Sequence, residues 1–103
     1  MRSSEIQRLV GAVEEIHGPI TLYGSNELEE HGTCFTLKGI PATFSVLTLE
    51  GKLGHDQFDV QIEGRPPGYY MYNLELCSLD EFLQTVEIFK LPPKSWPGFS
   101  ERN

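Results

Sequence analysis

Residues 58–77 read FDVQIEGRPPGYYMYNLELC, and this stretch decides how the chain folds. Phe58, Val60 and Ile62 alternate with polar residues, which is the period-two pattern of a half-buried strand. In residues 70–76 apolar side chains again occupy every second position. The two glycines and two prolines between the runs are typical of a turn. The stretch therefore predicts a β-hairpin with one apolar face.

The register of this hairpin follows if both apolar faces point to the same side of the sheet. We expect Glu63 to pair with Tyr69 across the turn. The next inward pairs are then Ile62 with Tyr70, Val60 with Tyr72 and Phe58 with Leu74. A slip of one residue would turn one of the two apolar faces to water, so it is disfavoured.

Two amphipathic helices are predicted at the ends of the chain. The N-terminal one has apolar residues at spacings of three and four, which form one stripe. The C-terminal one begins at a capping box, in which Ser78 and Glu81 each bond the other's backbone amide. The predicted buried stripes are Ile6, Leu9, Val10, Val13 and Ile16 in the first helix, and Leu79, Phe82, Leu83, Val86 and Phe89 in the second.

Three further β-prone runs lie between the first helix and the hairpin, at residues 20–23, 33–38 and 43–49. The last has apolar residues on both faces, so its register stays open. Sequential strands with short connections favour an antiparallel meander.

The fold class is therefore α+β, a single two-layer domain over residues 1–103. An antiparallel meander of four to five strands has an N-terminal and a C-terminal helix packed on one face. We expect Trp96 to pack back on this body. Residues 100–103 are expected to fray.

The charge balance narrows the class of partner. Eight Lys and Arg against fifteen Asp and Glu give a net charge of −7 at pH 7. Nucleic-acid binding needs clustered Lys and Arg, and an anionic membrane surface needs them too, so we expect neither partner. A basic protein would be attracted. The alternative is that the acidity only favours solubility.

Catalytic and metal-binding motifs are not found in the sequence. Cys34, Cys77 and three scattered histidines match no zinc spacing, and no phosphate loop or nucleophile motif is present. We expect no enzyme activity, no cofactor and no metal. The N-terminus lacks the apolar core of a signal peptide, which favours a cytoplasmic protein with two free thiols.

The functional hypothesis is a small acidic protein-binding module, of the inhibitor or immunity type, that neutralises a basic partner protein. Acidic residues and outward-facing Tyr and Met side chains carry it, because exposed aromatic and Met side chains favour protein contacts. The predicted contact set is Asp56, Asp59, Glu63, Tyr69 and Met71, with Glu27, Glu29 and Glu30 as a rim.

Three alternatives stay open. The polar face of the hairpin is also what alternation produces on any solvated sheet face. Tyr69, Met71 and the Trp96 segment could instead form a homodimer contact in a structural or assembly role. A small-molecule-binding protein or enzyme would need a pocket between the helices and the sheet.

Overall fold

The computed structural model describes residues 4–22, 32–47, 57–64 and 70–99. The elements follow the predicted order along the chain. They are α1 (Ser4–His17), β1 (Ile20–Leu22), β2 (Gly32–Leu37), β3 (Ala42–Leu47), β4 (Phe58–Gly64), β5 (Met71–Cys77), α2 (Leu79–Phe89) and a 3₁₀ turn at Pro93–Ser95.

The five strands form one antiparallel sheet in the order β1-β2-β3-β4-β5, which confirms the meander and the α+β class. Both helices contribute to one apolar core with one face of the sheet. We call this face the inner face. Of the described helices, none has both the length and the apolar character needed to cross a membrane.

The inner face is built by alternation on the three central strands. Phe35 pairs with Phe44, and Phe44 pairs with Ile62 on the next strand. All three side chains are fully buried. On β3, Phe44 and Val46 face inward and Leu47 faces outward, which settles the register that the sequence left open.

Helix α2 begins at the predicted capping box. The Ser78 hydroxyl accepts a hydrogen bond from the Glu81 amide at 3.1 Å, and the Glu81 carboxylate accepts one from the Ser78 amide at 3.1 Å. Its Phe82 ring meets the Phe44 ring edge-to-face, with centroids 6.1 Å apart. This geometry is favourable for aromatic pairs and joins α2 to the centre of the sheet.

The predicted hairpin register is wrong by two residues. Ile62 pairs with Tyr72 instead of Tyr70, and Val60 pairs with Leu74 instead of Tyr72. The inward and outward faces survive, because a shift of two residues preserves the alternation. The observed register puts Tyr70 beside Gly64, whose amide donates to the Tyr70 carbonyl.

The C-terminal segment packs on this end of the hairpin, as expected for Trp96. The Trp96 side chain is only 5% exposed, and its ring centroid lies 5.1 Å from that of Tyr70. The Tyr70 hydroxyl donates to the Pro97 carbonyl at 2.6 Å. Burial, with a smaller contribution from Tyr72, raises the pKa of Tyr70 to about 12, so this donor keeps its proton at neutral pH.

Helix α1 departs from its predicted stripe at the last turn. Ile16 is 55% exposed, whereas the His17 side chain is fully enclosed. His17 lies four residues after the buried Val13 and thus continues the same face of the helix. The buried stripe therefore ends on a histidine and not on Ile16.

His17 lies between the two helices without a hydrogen-bond partner among the described residues. Its Nδ1 is 3.4 Å from the Glu87 carboxylate, which also contacts the Lys90 ammonium. Loss of hydration on burial and the Lys90 charge lower the pKa of His17. The Glu87 charge raises the pKa of His17, but not enough to cancel the two lowering effects.

Because the pKa of His17 is lowered in the folded chain, the free energy of unfolding should depend on pH. In the unfolded chain His17 takes up a proton near its ordinary pKa of 6.5, while the folded chain resists protonation. The free energy of unfolding should therefore fall as the pH drops from about 8 to about 5, and His17→Gln should reduce that fall. Urea unfolding at a series of pH values measures it, with His31→Gln and His55→Gln as controls. A slope unchanged in His17→Gln would contradict the prediction.

Candidate protein-binding face

The strand side chains that point away from the helices form what we call the outer face. No described element of the chain covers it. By strand register it consists of Thr21 on β1, Cys34 and Thr36 on β2, Thr43, Ser45 and Leu47 on β3, Asp59, Gln61 and Glu63 on β4, and Met71, Asn73 and Glu75 on β5.

The charges on the outer face have one sign. Asp59, Glu63 and Glu75 are the charged residues of the five strands, and no Lys or Arg lies on any of these strands. The remaining outward positions carry mainly Thr, Ser, Gln, Asn and Cys. The face is therefore a neutral polar sheet surface with carboxylates concentrated on β4 and β5.

Two predicted contact residues are neighbours across β4 and β5. Glu63 pairs with Met71, both are exposed, and the Met71 side chain is 48% exposed. The Gln61 amide donates to the Met71 sulfur at 2.9 Å, which joins the two strands at this point. A carboxylate and an apolar contact residue thus lie side by side at the turn end of the β4–β5 hairpin.

Asp59, a predicted contact residue, also forms a hydrogen bond that joins β4 to β5. Its Oδ1 accepts a hydrogen bond from the Leu76 amide at 3.1 Å. Here β5 has one extra residue, since Val60 pairs with Leu74 while Phe58 pairs with Cys77. This β-bulge carries Leu76 at a φ of +56°.

The bulge reverses two assignments at the end of β5. The alternation of residues 70–76 predicts Leu76 on the inner face and, continued by one residue, Cys77 on the outer face. In the structure Leu76 is 51% exposed and Cys77 is 2% exposed. One extra residue shifts the alternation by one position, which exchanges the faces beyond it.

The bulge also predicts a stabilising substitution. A left-handed backbone costs a leucine about 1–2 kcal/mol, and glycine adopts it without that cost. We expect Leu76→Gly to raise the free energy of unfolding by up to about 1 kcal/mol. Removing this exposed side chain takes away little buried apolar area, so the relief of backbone strain should exceed that loss. Urea unfolding measures the change. As a control, Asp59→Ala removes the acceptor for the Leu76 amide and should lower the free energy of unfolding. A Leu76→Gly variant less stable than the native chain would contradict this account of the bulge.

The other predicted contact residues lie outside the described residues. These are Asp56, Tyr69, Glu27, Glu29 and Glu30. Of the predicted contact residues, Asp59, Glu63 and Met71 are the ones that the structure describes, and all three lie on the outer face. Glu75 was missed, although the alternation of residues 70–76 places it on the same face as Met71 and Asn73.

A depression on the outer face lies where β5 bends at the bulge. We call it the β3–β5 depression. It has a volume of about 190 Å³, and its polar and outward side chains are Ser45, Leu47, Asp59, Gln61, Asn73 and Glu75. A second, more open depression of about 610 Å³ lies at the β2–β3 turn beside Thr21, Thr36 and Lys38.

The two cysteines lie on opposite faces of the sheet. Cys34 is on the outer face of β2, with its sulfur 3.3 Å from the Ser45 hydroxyl, whereas Cys77 belongs to the core. Burial, followed by the Glu81 and Asp59 charges, raises the pKa of Cys77 to about 11. This thiol is therefore not activated by its position before α2. Three strand spacings and a sheet separate the two sulfurs, so they cannot form a disulfide with each other in this fold.

The described residues contain no group of three or more His, Cys, Asp or Glu placed to hold a metal ion. Comparison with protein-family models, curated proteins and solved structures finds no match to this chain.

Proposed function

We propose that this chain is a small protein-binding module of the inhibitor or immunity type, whose outer face receives a basic partner protein. The observation that carries the proposal is the single sign of charge on the five strands. With a net charge of −7, the chain would attract a basic protein and guide it to this face.

The composition of the face supports a protein partner in particular. The outward side chains of β2 and β3 are mainly short, uncharged and polar, and Leu47 and Met71 add exposed apolar area at 36% and 48%. Protein contacts typically combine such apolar side chains with a polar surround. Carboxylates beside them would set the orientation of the partner and exclude acidic proteins.

The charge also argues against pairing with a second copy. A symmetric dimer brings the same surface patch of both copies together. On the outer face the strands of neither copy would supply a Lys or Arg to meet Asp59, Glu63 and Glu75, and carboxylates buried without a partner cost free energy. Trp96 is 5% exposed and packs within its own chain, so it offers little surface to a dimer.

The test is the rate of association with the partner, captured from native lysate on the immobilised chain. Reversing Asp59 and Glu63 to Lys should slow association strongly at low ionic strength. Because Asp59 also holds the bulge, Glu63→Lys alone is the cleaner variant. We expect its rate to fall about tenfold or more, with the difference shrinking at high salt.

The matched control is Glu15→Lys, which changes the net charge equally at an exposed position of α1. A captured protein that is acidic, or equal rates for Glu63→Lys and Glu15→Lys, would overturn the proposal. Light scattering that shows a tight dimer disrupted by Met71→Glu would favour the assembly role instead.

A further inference from the structure

The β3–β5 depression has the size of a site for one side chain. Its volume of about 190 Å³ is well above what a single water molecule needs. Pockets for drug-sized ligands and cofactors typically measure about 300–1,000 Å³. The depression is therefore too small for a cofactor and large enough for one long amino-acid side chain.

The chemistry of the lining selects a cation. Asp59 and Glu75 supply carboxylates, while Gln61, Asn73 and Ser45 supply neutral oxygens. Lys and Arg side chains carry three and five N–H donors and no acceptor, so they match such an oxygen-rich lining. An anionic group would be repelled by the two carboxylates, and a purely apolar group would cover them without giving them a hydrogen-bond donor.

The carboxylates are available to a partner. Glu75 makes no ion pair or hydrogen bond with any described residue, and no cation on the described strands competes for it. The Leu76 amide holds Asp59 in place through one oxygen. A carboxylate has about four acceptor positions, so Asp59 keeps capacity for an incoming donor. Leu47 offers an apolar wall for the methylene stem of a long cationic side chain.

We propose that the β3–β5 depression anchors one lysine or arginine side chain of the basic partner, an inference that rests on the proposed function. The bulge matters here because it turns the end of β5 and fixes Asp59 beside Glu75. The anchor would set where on the outer face the partner docks, while the overall negative charge sets how fast the partner arrives.

The test uses N-acetyl-arginine amide as the probe and amide chemical shifts of the full chain as the readout. We expect saturable shifts at Asp59, Asn73 and Glu75 and at the Gln61 side-chain amide. N-acetyl-citrulline amide, which has nearly the same shape without the charge, should cause none of them. Glu75→Gln should weaken arginine binding roughly two- to fivefold, as expected for an exposed ion pair, and Glu15→Gln should leave it unchanged.

A second probe separates this inference from the proposed function. A short peptide of alternating lysine and glycine should shift resonances across the outer face. If the peptide does so while arginine amide shifts no residue of the depression, or citrulline amide shifts the same residues, the anchor is refuted and the binding face stands. If neither cationic probe shifts any outer-face resonance, both proposals are refuted.

Discussion

Phe44→Ala is expected to lower the free energy of unfolding by about 3–5 kcal/mol, the usual cost of truncating a buried aromatic side chain to alanine. Phe44 is fully buried at the centre of the aromatic core. Its ring centroid lies 5.6 Å from Phe35, 6.1 Å from Phe82 and 6.2 Å from Phe89. The substitution would therefore open a cavity between the sheet and α2.

That loss is large for a chain of this length. Domains of this size have a total stability of about 5–15 kcal/mol, so the Phe44→Ala loss amounts to at least about a fifth of it. Urea unfolding followed by the fluorescence of the single tryptophan, Trp96, measures the change. If the alanine variant does not fold, Phe44→Leu can be measured instead. It keeps part of the buried volume and should lower the free energy of unfolding by less.

The matched control is Leu47→Ala on the same strand. Leu47 is 36% exposed on the outer face, three residues from Phe44. We expect its truncation to cost less than about 1 kcal/mol, since surface substitutions rarely cost more. Equal losses for Phe44→Ala and Leu47→Ala would contradict the assignment of inner and outer faces.

Gly64→Ala is expected to destabilise the chain by about 1–3 kcal/mol through overpacking. A Cβ atom at Gly64 would lie 3.0 Å from the Tyr70 Cβ and 3.3 Å from Cζ3 of Trp96. The Tyr70 Cβ is attached directly to the backbone and cannot rotate away. The C-terminal segment that carries Trp96 would have to shift, so the fluorescence of Trp96 should change as well.

The same substitution at Gly11 should have the opposite sign. Gly11 is exposed within α1, and a Cβ there would meet nothing within 4 Å. Alanine stabilises an exposed helix interior by about 0.8–1 kcal/mol relative to glycine. If Gly64→Ala were as favourable as Gly11→Ala, the close packing of Tyr70 and Trp96 on the end of the hairpin would be refuted.

The sequence was sufficient for features that depend on local patterns. Alternation in residues 58–64 identified β4 and its inner face, and the Ser78–Glu81 spacing identified the start of α2. Both signals come from residues a few positions apart, whose geometry is set by the element itself. The predicted return of Trp96 to the core also holds, since a large aromatic ring gains from burial.

Features that depend on contacts between distant residues were not predictable in the same way. The hairpin register was wrong by two residues because alternation has a period of two and cannot distinguish such shifts. In the observed pairing Tyr70 and Trp96 pack closely over Gly64, a contact between residues far apart in the chain. The bulge is held by the hydrogen bond from Leu76 to Asp59, which joins two strands and leaves no local signature.

The candidate site was predicted in part for the same reason. Glu63 and Met71 lie on the outer face as alternation requires, whatever the register. The depression beside Asp59 and Glu75 combines side chains of β3, β4 and β5, so its lining depends on the register between these strands, which the sequence could not reveal.

The most direct test of the open outer face is the rate at which each cysteine reacts with iodoacetamide in the native chain, followed by mass spectrometry. Cys34 lies on the outer face, whereas Cys77 is buried and has its pKa raised to about 11. We predict that Cys34 is alkylated much faster than Cys77, that the two react at similar rates in urea, and that the basic partner slows the reaction of Cys34. Cys77 reacting as fast as Cys34 in the native chain, or a Cys34 rate unchanged by the bound partner, would contradict the account.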